Sequence, residues 1–138
     1  MVELLFAVLL VGFLFATVYT GIVQTFVITR DTQEHLRACQ ILQDKTETIR
    51  LYTWDQVTNT SFMPTSFTNV YDPTAGTTNA GVTYNGTLSI SNSGMSASYA
   101  SDIRVVTVTV SWTSGKITNQ QSMTTQVSHY GLQNYIYY

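Results

Sequence analysis

The N-terminal segment is the most apolar stretch of the chain. From Leu4 to Thr29 the sequence runs through twenty-six residues without a charged side chain. As a helix rising about 1.5 Å per residue, this segment would span roughly 39 Å, enough to cross a bilayer. A cleaved secretory signal is a poor alternative, because no basic region precedes the apolar run and the run is too long. We therefore predict a hydrophobic transmembrane helix over residues 1–29.

Charged side chains appear abruptly after this segment. Residues 30–56 hold nine of the fourteen charges in the chain. Apolar residues continue there at spacings near three and seven, which predicts an amphipathic helix that continues into a globular head. The stripe expected to carry the head consists of Leu36, Cys39, Leu42, Thr46, Ile49 and Tyr52. Opposite charges also lie three or four residues apart, as solvated helix pairs or subunit contacts: Arg30 with Glu34, Glu34 with Arg37, and Glu47 with Arg50.

The remaining residues, 57–138, have the pattern of a β head. Residues 56–80 contain both prolines and no stable apolar period, so we predict a loop there. Three strand-like runs follow, at residues 83–91, 104–113 and 116–127. The middle run is the clearest, because it alternates β-branched residues, and a hairpin turn is predicted at residues 113–116. An antiparallel sheet packed on the amphipathic half of the helix would bury the valine face, and the predicted fold class is α+β.

Composition limits the function classes. The 138 residues suit one domain, with 10% charged residues and a net charge of -2, so no basic field exists to attract nucleic acid. The nearly neutral, hydroxyl-rich surface of the head favours an extracellular location. No hydrolase, phosphate-loop or zinc motif is present, so we predict that the protein is not an enzyme and uses no cofactor. Asp72 and Asp102 are too few for a dedicated calcium site, and the single cysteine, Cys39, is expected to be a small buried hydrophobe rather than an intermolecular disulfide.

Glu3 is the residue that an ordinary membrane anchor does not explain. A carboxylate at the edge of an apolar helix costs on the order of 2 to 3 kcal/mol if it enters the hydrocarbon, so it should have a partner. Two other interpretations fit equally well on this evidence. The carboxylate lies among the lipid headgroups, or it caps the helix N-terminus, where the macrodipole favours an anion.

The segment Met1-Val2-Glu3-Leu4-Leu5, followed by the apolar run to Gly12, resembles the N-terminus of the superfamily of bacterial type IV pilins and type II secretion pseudopilins. The resemblance implies a pilin fold, cleavage and N-terminal methylation by a prepilin peptidase, and homo-oligomerisation into a helical filament whose core is the helix of residues 1–29. It also implies that Glu3 neutralises the N-terminal ammonium of the neighbouring subunit. The family usually has two further residues ahead of the match: either two residues are missing here, or Met1 is the processed terminus, or processing differs.

Gly12 and Gly21 interrupt the apolar run, and each costs a helix interior roughly 1 kcal/mol relative to Ala. Close packing between helices is one explanation. The resemblance offers a second, because Gly12 matches a glycine at which pilin helices lose structure in the assembled filament. The downstream proline that is common in the family is absent here, so melting is less strongly encoded.

The head carries two further sets of candidate residues. Asn59 and Asn85 each begin an Asn-x-Ser/Thr triplet and are candidate glycosylation sites. The tail after His129 holds four tyrosines, which we expect to pack on the sheet or on a neighbouring subunit. An exposed sticky patch or a sugar-binding surface is the alternative for this tail.

The leading hypothesis from the sequence is a structural pilin, held in the inner membrane before assembly and then extruded by the pilus machinery to the cell surface. A minor pilin or a pseudopilin of a type II secretion system is the alternative within the superfamily. From a different class, the chain would be a single-pass surface protein whose β head binds a ligand. Replacement of Glu3 separates these interpretations, because a simple anchor should tolerate it.

Overall fold

The computed structural model describes residues 1–59, 61–76 and 80–131. A long helix, α1, runs without a break from Val2 to Arg50, and a short helix, α2, covers Trp54–Thr58. Four strands and one 3-10 turn, Ala100–Asp102, follow. The strands are β1 (Ser66–Val70), β2 (Thr83–Asn92), β3 (Ile103–Ser114) and β4 (Ile117–Ser128). The chain divides into two units, Met1–His35 and Leu36–Tyr138, which are described separately below.

The four strands form one antiparallel sheet in the order β1-β2-β3-β4. Each strand therefore pairs with its neighbour in sequence, so the sheet is a meander. The β3-β4 hairpin closes on the pair Ser114 and Ile117, which leaves a two-residue loop of Gly115 and Lys116. Gly115 adopts a φ of 62°, which a first loop position of a type II′ turn requires and which glycine tolerates best. The predicted hairpin and the three predicted strands are thus confirmed to within one or two residues.

The core lies between the sheet and the part of α1 that belongs to the second unit. Alternate residues of β3 point into it and are at most 1% exposed: Val106, Val108, Val110 and Trp112. This is the valine face expected from the sequence. On the helix side the buried residues are Ala38, Ile41, Leu42, Thr46 and Ile49. The α+β fold class, with a long helix packed on an antiparallel sheet, is confirmed.

The predicted head-facing stripe of the helix was wrong at its start. Leu36 is 59% exposed, whereas Ala38 and Ile41 are buried. Cys39 is half-buried, and its Sγ accepts a hydrogen bond from Gln121 Nε2 on β4 at 3.2 Å. The buried face is therefore rotated toward Ala38 and Ile41. Alanine contributes little hydrophobic signal to a sequence pattern, but its small side chain lets the sheet approach the helix.

Two elements occur where continuous helix and then loop were expected. Helix α1 ends at Arg50, and α2 begins after a break at Thr53, whose backbone N–H donates to Gln56 Oε1 at 3.0 Å. That bond satisfies a backbone donor at the helix start. Strand β1 then occupies part of the predicted loop and pairs with β2 through five residues, with Phe67 opposite Gly86. Val57 in α2 and Met63 after it are buried in the core.

Candidate assembly surface

The surface of the first unit is apolar on all sides from Leu4 to Ile28. An 18-residue window of α1 has a mean hydropathy of 2.3 and is 0% buried, so the helix is long and apolar enough to cross a membrane. Large hydrophobic side chains that are mostly more than half exposed continue to Ile28. Monomeric soluble proteins rarely expose apolar patches of this extent, and such patches mark sites of protein or membrane contact. The side chains concerned include Leu4, Leu5, Phe6, Val8, Leu10, Phe13, Leu14, Phe15, Tyr19, Phe26 and Ile28.

The threonine hydroxyls on this apolar surface are satisfied within the helix. Thr17 Oγ1 donates to the Leu14 carbonyl at 2.9 Å, and Thr20 Oγ1 donates to the Ala16 carbonyl at 3.1 Å. Thr25 and Thr29 make equivalent bonds four residues back, at 2.9 and 2.8 Å. A hydroxyl that already has an internal acceptor costs little to bury in lipid or protein. The threonines therefore do not interrupt the apolar character of the surface.

Glu3 lies in the first turn of α1 and is exposed. Within the described chain it makes no ion pair, and the backbone carbonyl of Met1 accepts from the Leu5 N–H at 3.4 Å. The free N–H groups of the first turn favour the negative charge of Glu3 at this end. The structure thus places Met1 and Glu3 together at the tip of the apolar helix. An ammonium from outside the chain can approach the carboxylate there.

Gly12 and Gly21 both lie on the exposed helix surface. A Cβ atom built at either position meets nothing within 4 Å. Neither glycine is therefore required by packing within its own chain. Both lie within the continuous helix α1.

A short segment of ion pairs follows the apolar surface. Arg30 Nε lies 2.9 Å from Glu34 Oε1, as the four-residue spacing predicted. His35 Nε2 lies 3.9 Å from Asp31 Oδ1. These pairs mark the point at which α1 changes from an apolar to a charged surface.

The ionic contacts of α1 in the second unit stay on the helix surface. Arg50 Nη1 lies 3.4 Å from Glu47 Oε1, the pair predicted from their spacing, while Arg37 Nη1 donates to Gln40 Oε1 at 3.2 Å. Exposed pairs of this kind contribute only a few tenths of a kcal/mol each. They give the helix a polar surface in contact with solvent and do not form a catalytic group.

The head carries a stacked cluster that pattern reasoning missed. The Trp54 and His129 rings stack at 5.0 Å, and the Tyr130 ring follows at 4.6 Å from His129. The Arg104 guanidinium lies over Trp54 at 5.2 Å, and His129 Nδ1 is 3.8 Å from Asp102 Oδ1. The cluster fastens the end of β4 to α2. Its members are far apart in sequence, so no local signal could have found it.

The predicted contacts of the tyrosine tail can be followed only as far as Tyr130. That residue belongs to the stacked cluster, and its side chain is 71% exposed. The other three tyrosines of the tail lie outside the described residues. The expectation that the tail packs on the sheet or on a neighbouring subunit therefore stays a prediction.

The two candidate glycosylation sites differ in their surroundings. Asn59 is exposed, and its Oδ1 accepts a hydrogen bond from the Ser61 backbone N–H at 3.0 Å. Asn85 lies on the exposed face of β2, and its backbone carbonyl accepts from Ser111 Oγ at 3.3 Å. The side chain of Asn85 is thus directed outward from a strand, whereas that of Asn59 is engaged in a local turn.

A cleft of about 70 Å³ opens between the helix and the β1 side of the sheet. Its lining is mostly hydrocarbon and includes one ammonium group, that of Lys45, whose Nζ lies 4.9 Å from the centroid of the Phe67 ring. The cleft brings together no nucleophile and base. The residues that line it are Lys45, Thr48, Ile49, Tyr52, Met63, Pro64, Phe67 and Leu88.

The acidic residues of the head are engaged locally. Asp72 Oδ1 accepts two hydrogen bonds from Thr74, from its backbone N–H at 2.8 Å and from its hydroxyl at 2.6 Å. The hydroxyl bond, then the backbone bond, holds the pKa of Asp72 below its usual value of 3.8. Within the described residues, no three His, Cys, Asp or Glu side chains are placed to hold a metal ion.

Comparison of the chain with protein-family models, with curated proteins and with solved structures found no match.

Proposed function

We propose that this chain is a structural subunit of the type IV pilin kind, which polymerises through its N-terminal helix into an extracellular pilus-like filament. The observation that carries the proposal is an uncharged helix surface from Leu4 to Thr29, exposed on all sides, with a single carboxylate at its tip. The same surface suits two environments in turn. Lipid would cover it before assembly, and the helices of other subunits would cover it afterwards.

The position of Glu3 supports assembly rather than simple anchoring. An isolated carboxylate buried in an apolar helix bundle costs several kcal/mol, unless a cation pairs with it. Since the described chain supplies no cation to Glu3, a neighbouring subunit must supply one. The N-terminal ammonium at Met1, or at the mature terminus if processing moves it, is the cation nearest the tip of every copy. Prepilin peptidase and the pilus machinery would be the partners that create this terminus and extrude the subunit.

The head supports the same proposal through its lack of charge. From Gln56 onward only four side chains are ionic, and Ser, Thr, Asn and Gly dominate. Copies crowded around a filament would repel one another if they carried many like charges. A nearly neutral, hydroxyl-rich head reduces this repulsion while remaining soluble.

The test is replacement of Glu3 by Val, with Thr17→Val as a matched control on the same helix. Loss of a pairing worth about 2 kcal/mol would weaken each subunit addition about thirtyfold. Glu3→Val should therefore remain in the inner membrane and almost vanish from sheared surface filaments. Thr17→Val should assemble normally, because its hydroxyl bonds only to its own helix. Mass spectrometry of sheared filaments, compared with the membrane fraction, gives both quantities.

Normal filament yield from Glu3→Val would refute the assembly role of the carboxylate, because filaments would then form without it. Absence of the parent chain from surface filaments would instead favour a minor pilin or a secretion pseudopilin. The N-terminal residue read in the same experiment decides whether Met1 is the processed terminus.

A further inference from the structure

Strand β4 leaves one edge of the sheet open. Among the described strands it pairs only with β3, and it is the last strand in the sheet order. Its residues, Ile117–Ser128, include no charged side chain and no proline, and the pairing with β3 runs through all of them without a bulge. Natural proteins usually protect such an edge with charges, proline or bulges, because its exposed N–H and C=O groups recruit another strand. An edge this long and regular therefore favours a covering strand.

The chain turns back onto this edge directly after β4. The closing pair of the β3-β4 hairpin directs the backbone groups of the even-numbered residues of β4, including Ser128, away from β3. The Ser128 carbonyl accepts a hydrogen bond from the Gly131 N–H at 3.2 Å. The turn between them is held in place, because the His129 N–H donates to the Asp102 carbonyl at 2.8 Å and the His129 ring stacks on Trp54. The first contact of a further strand therefore already lies on the open side of β4.

The conformation of this turn selects the register of such a strand. Its two central residues, His129 and Tyr130, have negative φ angles, since no described residue other than glycine has a positive one. With the hydrogen bond from Gly131 to Ser128, these angles fit a type I turn. In β-hairpins a type I turn is classically followed by a residue in the left-handed region, which glycine adopts most readily. Gly131 occupies that position, which gives a three-residue loop and places Leu132 opposite Ser128.

We propose that residues 132–138, which lie outside the described residues, form a fifth strand paired antiparallel with β4 of the same chain. This length of extended chain spans about 24 Å, enough to cover β4 over residues 122–128. Tyr135 would then lie opposite the half-buried Thr125, on the face of the sheet that packs on α1. The added strand would remove the edge through which neighbouring heads could otherwise pair. The inference does not depend on filament assembly, so the Glu3 experiment leaves it unaffected.

Disulfide trapping in the full chain tests both the pairing and its register. In a Cys39→Ser background, Thr125→Cys with Tyr135→Cys places two thiols in a non-hydrogen-bonded cross-strand pair. The Cα atoms of such a pair lie about 4.5 Å apart, within the range of a disulfide. In the matched control, Thr125→Cys with Asn134→Cys, the second thiol would lie on the opposite face of the sheet.

Under mild oxidation in detergent micelles, we expect the disulfide within one chain to form roughly tenfold faster in the Tyr135→Cys variant than in the Asn134→Cys control. Mass spectrometry of unreduced peptides identifies the bond. Equal or slower formation in the Tyr135→Cys variant overturns the proposal. A disulfide found only between chains overturns it too, because the tail would then lie on a neighbouring copy.

Amide hydrogen exchange gives a second, independent measurement. In the proposed register the Ile136 N–H bonds to Thr124, whereas the Tyr135 N–H points away from the sheet. Ile136→Pro should therefore speed exchange of the Thr124 amide roughly tenfold, and Tyr135→Pro should leave it within about twofold, since an edge strand tolerates proline where the N–H faces solvent. Equal effects of the two prolines refute the pairing, as does a Thr124 amide in the parent chain that is no better protected than that of Gln120.

Discussion

The contact between Phe67 and Gly86 offers the sharpest test of the head's packing. These residues face each other across β1 and β2, and the Phe67 ring lies over the glycine. A Cβ atom at Gly86 would overlap the Phe67 ring. Three ring carbons would lie well within 3.0 Å of it, closer than real Cβ atoms approach other atoms. An aromatic ring that covers a strand glycine in this way fills the space of the missing side chain. Gly86→Ala must therefore expel the ring.

The size of the effect follows from what the ring loses. Complete burial of a large apolar side chain stabilises by about 1.5–3 kcal/mol, and Phe67 is only half-buried, so about half of that is at stake. Loss of the Lys45 ammonium over the ring removes about 0.5–1 kcal/mol more. Alanine returns roughly 0.5 kcal/mol, because glycine is the poorer strand residue. The net destabilisation expected for Gly86→Ala is about 1–2 kcal/mol.

A double-mutant cycle isolates the contact. In a Phe67→Ala background no ring remains to be expelled, so Gly86→Ala should become neutral or stabilise by about 0.5 kcal/mol. Urea unfolding of the full chain in detergent micelles, followed by the fluorescence of Trp54 and Trp112, measures all four free energies. The reasoning fails if Gly86→Ala costs the same in both backgrounds, since the cost would then arise from the backbone and not from the ring.

Two further predictions concern the head. Because hydrogen bonds from Thr74 lower the pKa of Asp72, its carboxyl resonance should titrate with a midpoint below 3.8, and Thr74→Val should raise that midpoint. Any stability that the Asp72 carboxylate contributes is present above its unfolded pKa and is lost as pH falls through the lower, folded pKa. An unchanged titration midpoint in Thr74→Val would show that Thr74 is not the cause of the lowered pKa. Amide hydrogen exchange should alternate between slow and fast along β4 from Ile117 to Gln121, which the proposed fifth strand does not cover. Because Ser114 and Ile117 form the pair that closes the hairpin, the odd-numbered residues of β4 are hydrogen-bonded to β3. The N–H groups of the even-numbered residues face the open edge of the sheet. Uniform protection would mean that another strand covers this edge.

The strands of the head could be predicted because their sequence signal is local. The buried face of the helix could be predicted only in part. β3 places β-branched residues at alternate positions, and burial on one face of a sheet enforces that period. The rotation of α1 depends on which of its sides the sheet meets. Ala38 carries that contact yet adds little to an apolar pattern, whereas Leu36 adds much and is exposed.

Strand β1 could not be found from its own residues. It has five residues, of which only Phe67 and Val70 are apolar, and Pro64 lies shortly before it. Its stability comes from pairing with β2 and from the ring that covers Gly86, which are tertiary effects. The stacked cluster of Trp54, Arg104 and His129 is a similar case, because only the fold brings its members together.

The candidate assembly surface could likewise be predicted from the sequence only in part. The length and apolar character of the helix follow from composition, and the structure agrees that this surface is exposed. The proposed role of Gly12 comes from the resemblance alone, and that of Glu3 comes from the resemblance together with the cost of burying an unpaired carboxylate. A single chain cannot supply the neighbouring ammonium or the neighbouring helix, so these roles stay predictions that depend on a second copy.

The chemistry of the apolar helix limits how copies could be arranged. Its threonines are satisfied internally and place no demand on a neighbour. The Glu3 carboxylate and the Gln24 amide are both exposed, and they lie about 32 Å apart along the helix axis. If both find partners in an assembly, a slip of one helical turn, about 5.4 Å, would break both contacts at once, whereas the surrounding hydrocarbon would tolerate it. Two widely separated polar groups would thus set the register of helices that apolar packing alone leaves free to slide.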